Sequence, residues 1–271
     1  MKKQLTFAVA LCAVAAVFAA EPENLFKNGD FSQGTAGWKV YGAKLDKANK
    51  TLNLKFHQPL FTSEAIKVDP KATYKLSVKF ASATPGPMYC GLVPLDKNGK
   101  EIASRNVQVA YRTDSELLET AAAGSDTIKV KTAPNWKMHS YPYVAFNTKP
   151  DYSDLPNYDV APVKSVTPGA DGIEVKLSRK LSKEYPAGTG VRMQTDGATY
   201  VYVLTFPKEG ITEPTMLSNT IGAKGKLRFR NCTDKIKFYF YIANRNGAAA
   251  IEEIKFEMVE PAPAPAAPAA K

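Results

Sequence analysis

Asn24-Leu25-Phe26-Lys27-Asn28-Gly29-Asp30-Phe31-Ser32-Gln33-Gly34-Thr35-Ala36-Gly37-Trp38 is the stretch on which the reading of this chain turns. Leu25, Phe26 and Phe31 bracket the turn formers Asn28-Gly29-Asp30, and Gly34 and Gly37 loosen the chain ahead of a Trp. A short strand that turns, runs on and delivers an indole to a core is the simplest physical reading. Beyond Trp38 the alternation is nearly all of period two. Leu52, Leu54 and Phe56 share one face, and Tyr74, Leu76, Val78 and Phe80 share another, with lysines and a serine between them. That pattern marks sheets with one face buried.

Upstream of this stretch, Met1–Ala20 reads as a signal peptide. Lys2 and Lys3 form its positive end, Leu5 to Phe18 its apolar segment, and Val17 and Ala19 suit cleavage after Ala19. A lipid on Cys12 is disfavoured, because Val9-Ala10-Leu11 lacks the Leu–small–small pattern and the apolar run continues past it. The expectation is an exported protein: periplasmic, cell-surface or secreted. No second apolar run approaches the ~20 residues that span a bilayer. About 250 residues remain, enough for one large β domain or two small ones.

The formal charge of +10 falls by two, to +8, without Lys2 and Lys3, and its cations are scattered. A solvated basic surface and weak attraction to acidic or sulfated polysaccharide both fit that balance. Nucleic acid is not expected of an exported chain without a recognition-helix pattern. Export permits a disulfide between Cys90 and Cys232, while two buried thiols in different places is the other reading. His57 and His139 stand alone, without metal-site spacing.

Downstream, Lys97-Asn98-Gly99-Lys100 is a hairpin turn, and Ser115–Ala123 is the one helix-leaning stretch, two turns at most. Short strands follow at Asp126–Val130, Tyr143–Phe146 and Ile173–Leu177. Thr199–Phe206, Lys226–Arg230, Ile236–Ile242 and Ile251–Met258 complete the strands. Pro261–Lys271 is a Pro/Ala-rich extended tail.

Three passages resemble carbohydrate-binding modules of the galactose-binding-like type. They are Asn28-Gly29-Asp30-Phe31 followed by Gly37-Trp38, then Asp69-Pro70 leading into Tyr74-Lys75-Leu76, and the closing strand with Glu252-Glu253. Between them, "Gly124…Thr127-Ile128-Lys129-Val130" and "Leu181…Pro186-Ala187-Gly188-Thr189-Gly190-Val191" resemble the opening and close of small β-barrel inserts. The resemblance implies an all-β jelly-roll sandwich over 21–110 and 196–260, interrupted by a small all-β insertion over 111–195. It implies a polysaccharide ligand.

Related modules often carry a structural Ca²⁺, and the matching positions here are Asp30, Ser32 and Glu253. Ser32 replaces the usual Glu, so turn and surface polar groups without a metal is an equal reading. For sugar, Tyr239 and Tyr241 alternate with Phe238, Phe240 and Ile242, and Arg228 and Arg230 alternate with Leu227 and Phe229. If the apolar set points inward, the tyrosines and arginines form a stacking, hydrogen-bonding face that suits acidic glycans. Packing of those tyrosines beneath other elements is the competing reading. Trp136 and Tyr152, beside turn formers, are further surface candidates.

No hydrolase, metalloprotease or phosphate-loop motif occurs, and no local pairing shows two carboxylates about 5–10 Å apart across a cleft. The leading expectation is a non-catalytic glycan binder. An envelope or extracellular matrix protein using the sandwich for protein contacts comes second, and a glycoside hydrolase or its accessory third.

Overall fold

In a computed structural model, residues 22–263 are described. The signal segment, Cys12 and the end of the Pro/Ala tail lie outside the described residues. The first run of strands is β1 (Trp38–Val40), β2 (Lys44–Asp46), β3 (Thr51–Lys55), β4 (Leu60–Thr62), β5 (Ile66–Lys67), β6 (Thr73–Ala83) and β7 (Met88–Leu95). A middle group follows: β8 (Ser115–Glu116), β9 (Thr127–Val130), β10 (Pro142–Phe146), β11 (Val160–Gly169), β12 (Gly172–Leu177) and β13 (Gly190–Thr195). The last are β14 (Val201–Leu204), β15 (Thr215–Gly222), β16 (Lys235–Ile242) and β17 (Ala248–Glu260).

The first and last groups form an all-β sandwich. One sheet has the order β15-β6-β17-β3-β2; the other runs β1-β4-β16-β7-β14, with β5 also pairing β16. Strand alternation sets what lies between them. Leu76, Val78 and Phe80 of β6 and Ile254 and Phe256 of β17 face Phe238, Phe240 and Leu92 of the other sheet, all buried in one core. Phe26 sits across the layers, 5.2 Å from Phe256 and 5.8 Å from Phe238 between ring centres. Each ring buried in this way contributes about 1.5–3 kcal/mol by removal from water.

The opening stretch docks as a turn-rich cap rather than as the expected strand. It makes one bridge, Asn24 with Glu257, and among the described residues no strand begins before Trp38. The Asn24 side chain takes the place of a ladder. Its Nδ2 donates to Ile254 O at 2.9 Å, and its Oδ1 accepts from Phe256 N at 2.9 Å and Phe26 N at 3.1 Å. Gly29 lies against Ile254, where an added Cβ would overlap the carbonyl oxygen. The indole does reach the core, and Trp38 Nε1 donates back to Asn28 O at 2.9 Å.

The middle group forms a third sheet of order β8-β13-β10-β11-β12-β9, which closes on itself through a Leu117–Val130 bridge. Leu118 N donates to Lys129 O and Lys131 N to Glu116 O, each at 2.9 Å, so the closure is a ladder. Inside this barrel is a separate core that includes Leu117, Val130, Phe146, Val175 and Met193. The helix-leaning stretch is therefore extended. Leu117 and Ala121 are buried as barrel residues, bridged to Val130 and Tyr185, and tertiary pairing overrides local propensity. The chain enters and leaves side by side: Ala110 N donates to Met193 O and Thr195 N to Gln108 O, both at 3.0 Å.

Candidate functional site

The two outward faces of the sandwich differ in chemistry. On the five-stranded sheet, Lys79 stands 2.5 Å from Glu252 and Lys255 3.0 Å from Glu253, with Lys75 opposite Glu257 in register. Such a charge-laced surface is a solvated one. The six-stranded sheet instead turns aromatic rings outward.

That orientation follows from β16. Ile236, Phe238, Phe240 and Ile242 are completely buried, which sends Lys237, Tyr239 and Tyr241 to the other side. Cross-strand register then gathers partners from remote parts of the chain. Tyr239 lies opposite Phe61 of β4 and Gly91 of β7, Tyr241 opposite Tyr89, and Tyr202 of β14 opposite Gly91. Tyr239 and Tyr241 are nearly parallel at 6.4 Å, Phe61 is 5.2 Å from Tyr239, and Tyr89 is 5.0 Å from Tyr202. Tyr200 meets Tyr239 edge-on at 4.6 Å, and Tyr41 extends the row from Phe61 at 6.3 Å. Tyr41 is 55% exposed and Tyr89 38% exposed, so the rim of the face is open to solvent while Tyr239 at its centre is half-buried. Burial, with the phenols of Tyr202, Tyr200, Tyr241 and Tyr89 around it, pushes the Tyr239 hydroxyl up, so it is neutral and able to donate. Tyr241 Oη lies 2.7 Å from His57 Nδ1 at the edge. Lys39, opposite Phe61, and Lys237 supply cations beside the rings.

Gly91 has a steric role here. A Cβ on it would overlap the Val201 carbonyl oxygen and approach Tyr202 Cα to 2.8 Å. The missing side chain lets β14 pack close, and β14 carries Tyr202 onto the face.

Arg228 and Arg230 do not join this face as a free pair. Residues 226–230 form no strand; only Leu227 makes a bridge, to Ile221. Arg228 Nη1 is bonded at 2.6 Å to both Gly222 O and Gly225 O, closing the turn after β15. Arg230 clamps the loop ahead of β14, donating to Ile102 O at 2.6 Å, Thr199 O at 2.8 Å, Tyr200 O at 3.4 Å and the Ala198 carbonyl. A guanidinium fork in an irregular segment satisfies carbonyls that no ladder reaches. Arg230 thus positions Tyr200 rather than meeting a ligand directly.

Trp136 is not a surface ring either. It is only 5% exposed, packs in the barrel core, and donates from Nε1 to Thr113 O at 2.6 Å. Tyr152 is on the surface, with the Arg192 guanidinium 4.8 Å from its ring centre.

Asp30 Oδ1 accepts from Ser32 N at 3.2 Å and Ser32 Oγ at 2.9 Å, a closed turn contact, and Glu253 faces Lys255. Among the described residues, no three His, Cys, Asp or Glu side chains come together to hold an ion. Calcium takes six to eight oxygens, of which the side chains of Asp30, Ser32 and Glu253 would supply only part.

Cys90 and Cys232 are both free thiols. Cys90 pairs with Phe240 in the ladder and faces the core, whereas Cys232 follows Arg230 in an exposed turn just before Lys235, which pairs with Leu95. Five residues of strand, about 16 Å, separate Cys90 from the Leu95 end, beyond disulfide reach.

No family model matches this chain, and no curated protein does. Among solved structures it is similar to the carbohydrate recognition domain of Emp46p, in a tyrosine-to-phenylalanine mutant form. The identity is 11% over 87% of this chain and 94% of that one, with a TM-score of 0.27. So loose a superposition leaves fold and ligand to be argued from the sheets and side chains themselves. No helix among the described residues is long and apolar enough to cross a membrane.

Proposed function

We propose that this chain is an exported, non-catalytic polysaccharide-binding protein that lays a glycan chain on the outer face of its six-stranded sheet. The observation that carries this reading is the contrast between the two faces. One is laced with Lys–Glu pairs, and the other gathers Tyr41, Phe61, Tyr89, Tyr202, Tyr239 and Tyr241. Sugar rings present C–H faces that stack on aromatic rings, while phenol hydroxyls supply hydrogen bonds at the rim. A broad, shallow platform suits an extended chain better than a small molecule, which needs a concave site. The tyrosines are held by their neighbours before any ligand arrives, which lowers the ordering cost of binding.

The test is retention on a panel of polysaccharides by affinity electrophoresis. Tyr241→Ala and Tyr89→Ala should each weaken retention by tenfold or more, since an aromatic hot-spot contact is worth about 2 kcal/mol. Their melting temperatures should change little compared with Tyr239→Ala, because Tyr239 is the more enclosed ring. Undiminished retention by the Tyr241/Tyr89 double variant would move the ligand off this face. Release of reducing sugar from any bound polymer would overturn the non-catalytic part.

A further inference from the structure

The barrel and the sandwich meet at a cleft of about 370 Å³, and its charges come from separate elements. Lys100 lies in the hairpin after β7, Arg105 in the short 3-10 turn Ser104–Asn106, and Arg179 just beyond β12 of the barrel. A fourth cation stands behind the wall. Arg230 holds the carbonyls of Ile102 and Thr199, and both of those residues line the cleft. Against these four cations stand Glu101 and Asp196 in the cleft and the buried Asp96 behind it, bonded to Tyr158 at 2.9 Å. Asp196 is already bonded by Arg105 at 2.9 Å. Arg179 gives one Nη2 donor to Val160 O at 2.9 Å, and Lys100 Nζ rests 3.5 Å from the Tyr158 ring centre. The cleft therefore carries an excess of positive charge in a recess, where field lines are focused and water is partly excluded.

Tyr200 connects this cleft to the aromatic face, because it lines the cleft and packs on Tyr239 at 4.6 Å. We infer that the cleft is a second subsite, which takes one anionic group, a carboxylate or a sulfate, carried by a polysaccharide lying on the face. This rests on the proposed polysaccharide reading and names its substrate class. Guanidinium forks and an ammonium suit such a group through charge-assisted hydrogen bonds, which exceed neutral ones in strength.

The experiment is affinity electrophoresis in β-glucan, polygalacturonate and carrageenan at fixed ionic strength. Its variants are Lys100→Gln/Arg179→Gln and a remote control, Lys47→Gln/Lys71→Gln, which removes the same charge from exposed sites. The wild type should be retained more strongly by polygalacturonate or carrageenan than by β-glucan. The cleft variant should lose about tenfold of that anionic retention, as expected for a charged hydrogen bond. Its β-glucan retention should be unchanged, and the control should match the wild type in all three polymers. Which anionic polymer responds identifies carboxylate or sulfate. Equal losses in cleft variant and control would assign the effect to general basic charge and overturn the subsite. So would equal wild-type retention by all three polymers, or no retention by any. If Tyr241→Ala/Tyr89→Ala has no effect while the cleft variant still loses anionic retention, the platform reading fails and the cleft stands alone. Arg179→Gln alone replaces the double variant if circular dichroism shows the latter unfolded.

Discussion

Arg230 reaches four backbone carbonyls, of Ile102, Ala198, Thr199 and Tyr200, from a segment without a strand of its own. Burial lowers its pKa, opposed by the charge of Asp196, so the contacts repay a real desolvation cost. Arg230→Met should destabilise the protein by about 2 kcal/mol in urea unfolding, the range for losing hydrogen bonds to a charged group. Arg230→Lys should recover little, because a single ammonium cannot span the same carbonyls. Gly91→Ala should cost about 1–3 kcal/mol as an overpacked site and should also weaken polysaccharide retention, since β14 and Tyr202 must move to admit the methyl group. For the thiols, a chain beginning at Glu21 and kept without reductant should label at one cysteine when native and at two after denaturation. Cys232 is exposed, though burial and Asp96 raise its pKa and slow it, and Cys90 is sealed in the core. Loss of two hydrogens by mass, with no labelling in denaturant, would restore the pairing.

At the scale of elements, the barrel depends on a buried ion pair. Arg192 of β13 is fully enclosed, bonded through Nη2 to Asp154 Oδ2 at 2.8 Å, with Asp114 3.5 Å from Nη1. Asp154 also accepts from Lys149 N at 3.0 Å and Asn157 Nδ2 at 3.0 Å, which ties the 149–157 loop over the strand. Burial alone would raise this carboxyl, but the Asn157, Lys149 and Arg192 contacts carry it below the ordinary carboxylate range. Asp159 is lowered too: burial opposes, while hydrogen bonds from Tyr185 and Lys183 prevail. A carboxyl lowered in the folded state stabilises it above the unfolded pKa. That stability is lost as pH falls through the lowered native values. Barrel stability should therefore decline below about pH 4, measured as a falling melting temperature. Asp154→Ala should cost about 3 kcal/mol at neutral pH, because it leaves the enclosed Arg192 charge with only the more distant Asp114. A loss below 1 kcal/mol would mean that water reaches this pair.

At the scale of the molecule, two cores share one chain, and their separation is testable by excision. Ala110 and Thr195 lie in paired segments at the neck, so removing residues 111–194 and joining the ends requires no long linker. The remaining sandwich should unfold in one cooperative transition, since an inserted unit with its own core leaves the host's core intact. A narrower cut, over 124–193, would leave Leu117 and Ala121 behind without the barrel that buries them. A non-cooperative transition in the 111–194 excision would show that the junction is needed for the sandwich. Asn106 Nδ2 bonded to Asn157 O and Tyr158 Oη bonded to Asp96, both at 2.9 Å, would be the contacts responsible.

The alternation of apolar and polar residues was enough to establish the β class and the inward side of β6 and β16, and it offered the outward turn of Tyr239 and Tyr241 as one of two readings. Period-two exposure is a property of a single strand and is written locally. The partners of those tyrosines were not legible. Phe61, Tyr89 and Tyr202 meet Tyr239 and Tyr241 only because β4, β16, β7 and β14 lie side by side, an order that no local pattern encodes. The roles of Arg228 and Arg230 were hidden for a related reason. A long, flexible fork goes to whatever carbonyls the irregular backbone leaves unpaired, and those carbonyls belong to residues up to 128 positions away. Trp136 looked like a surface ring beside turn formers, and became core once the barrel closed around it. Local periodicity decided which side of a strand each residue takes, and long-range pairing decided what it meets there.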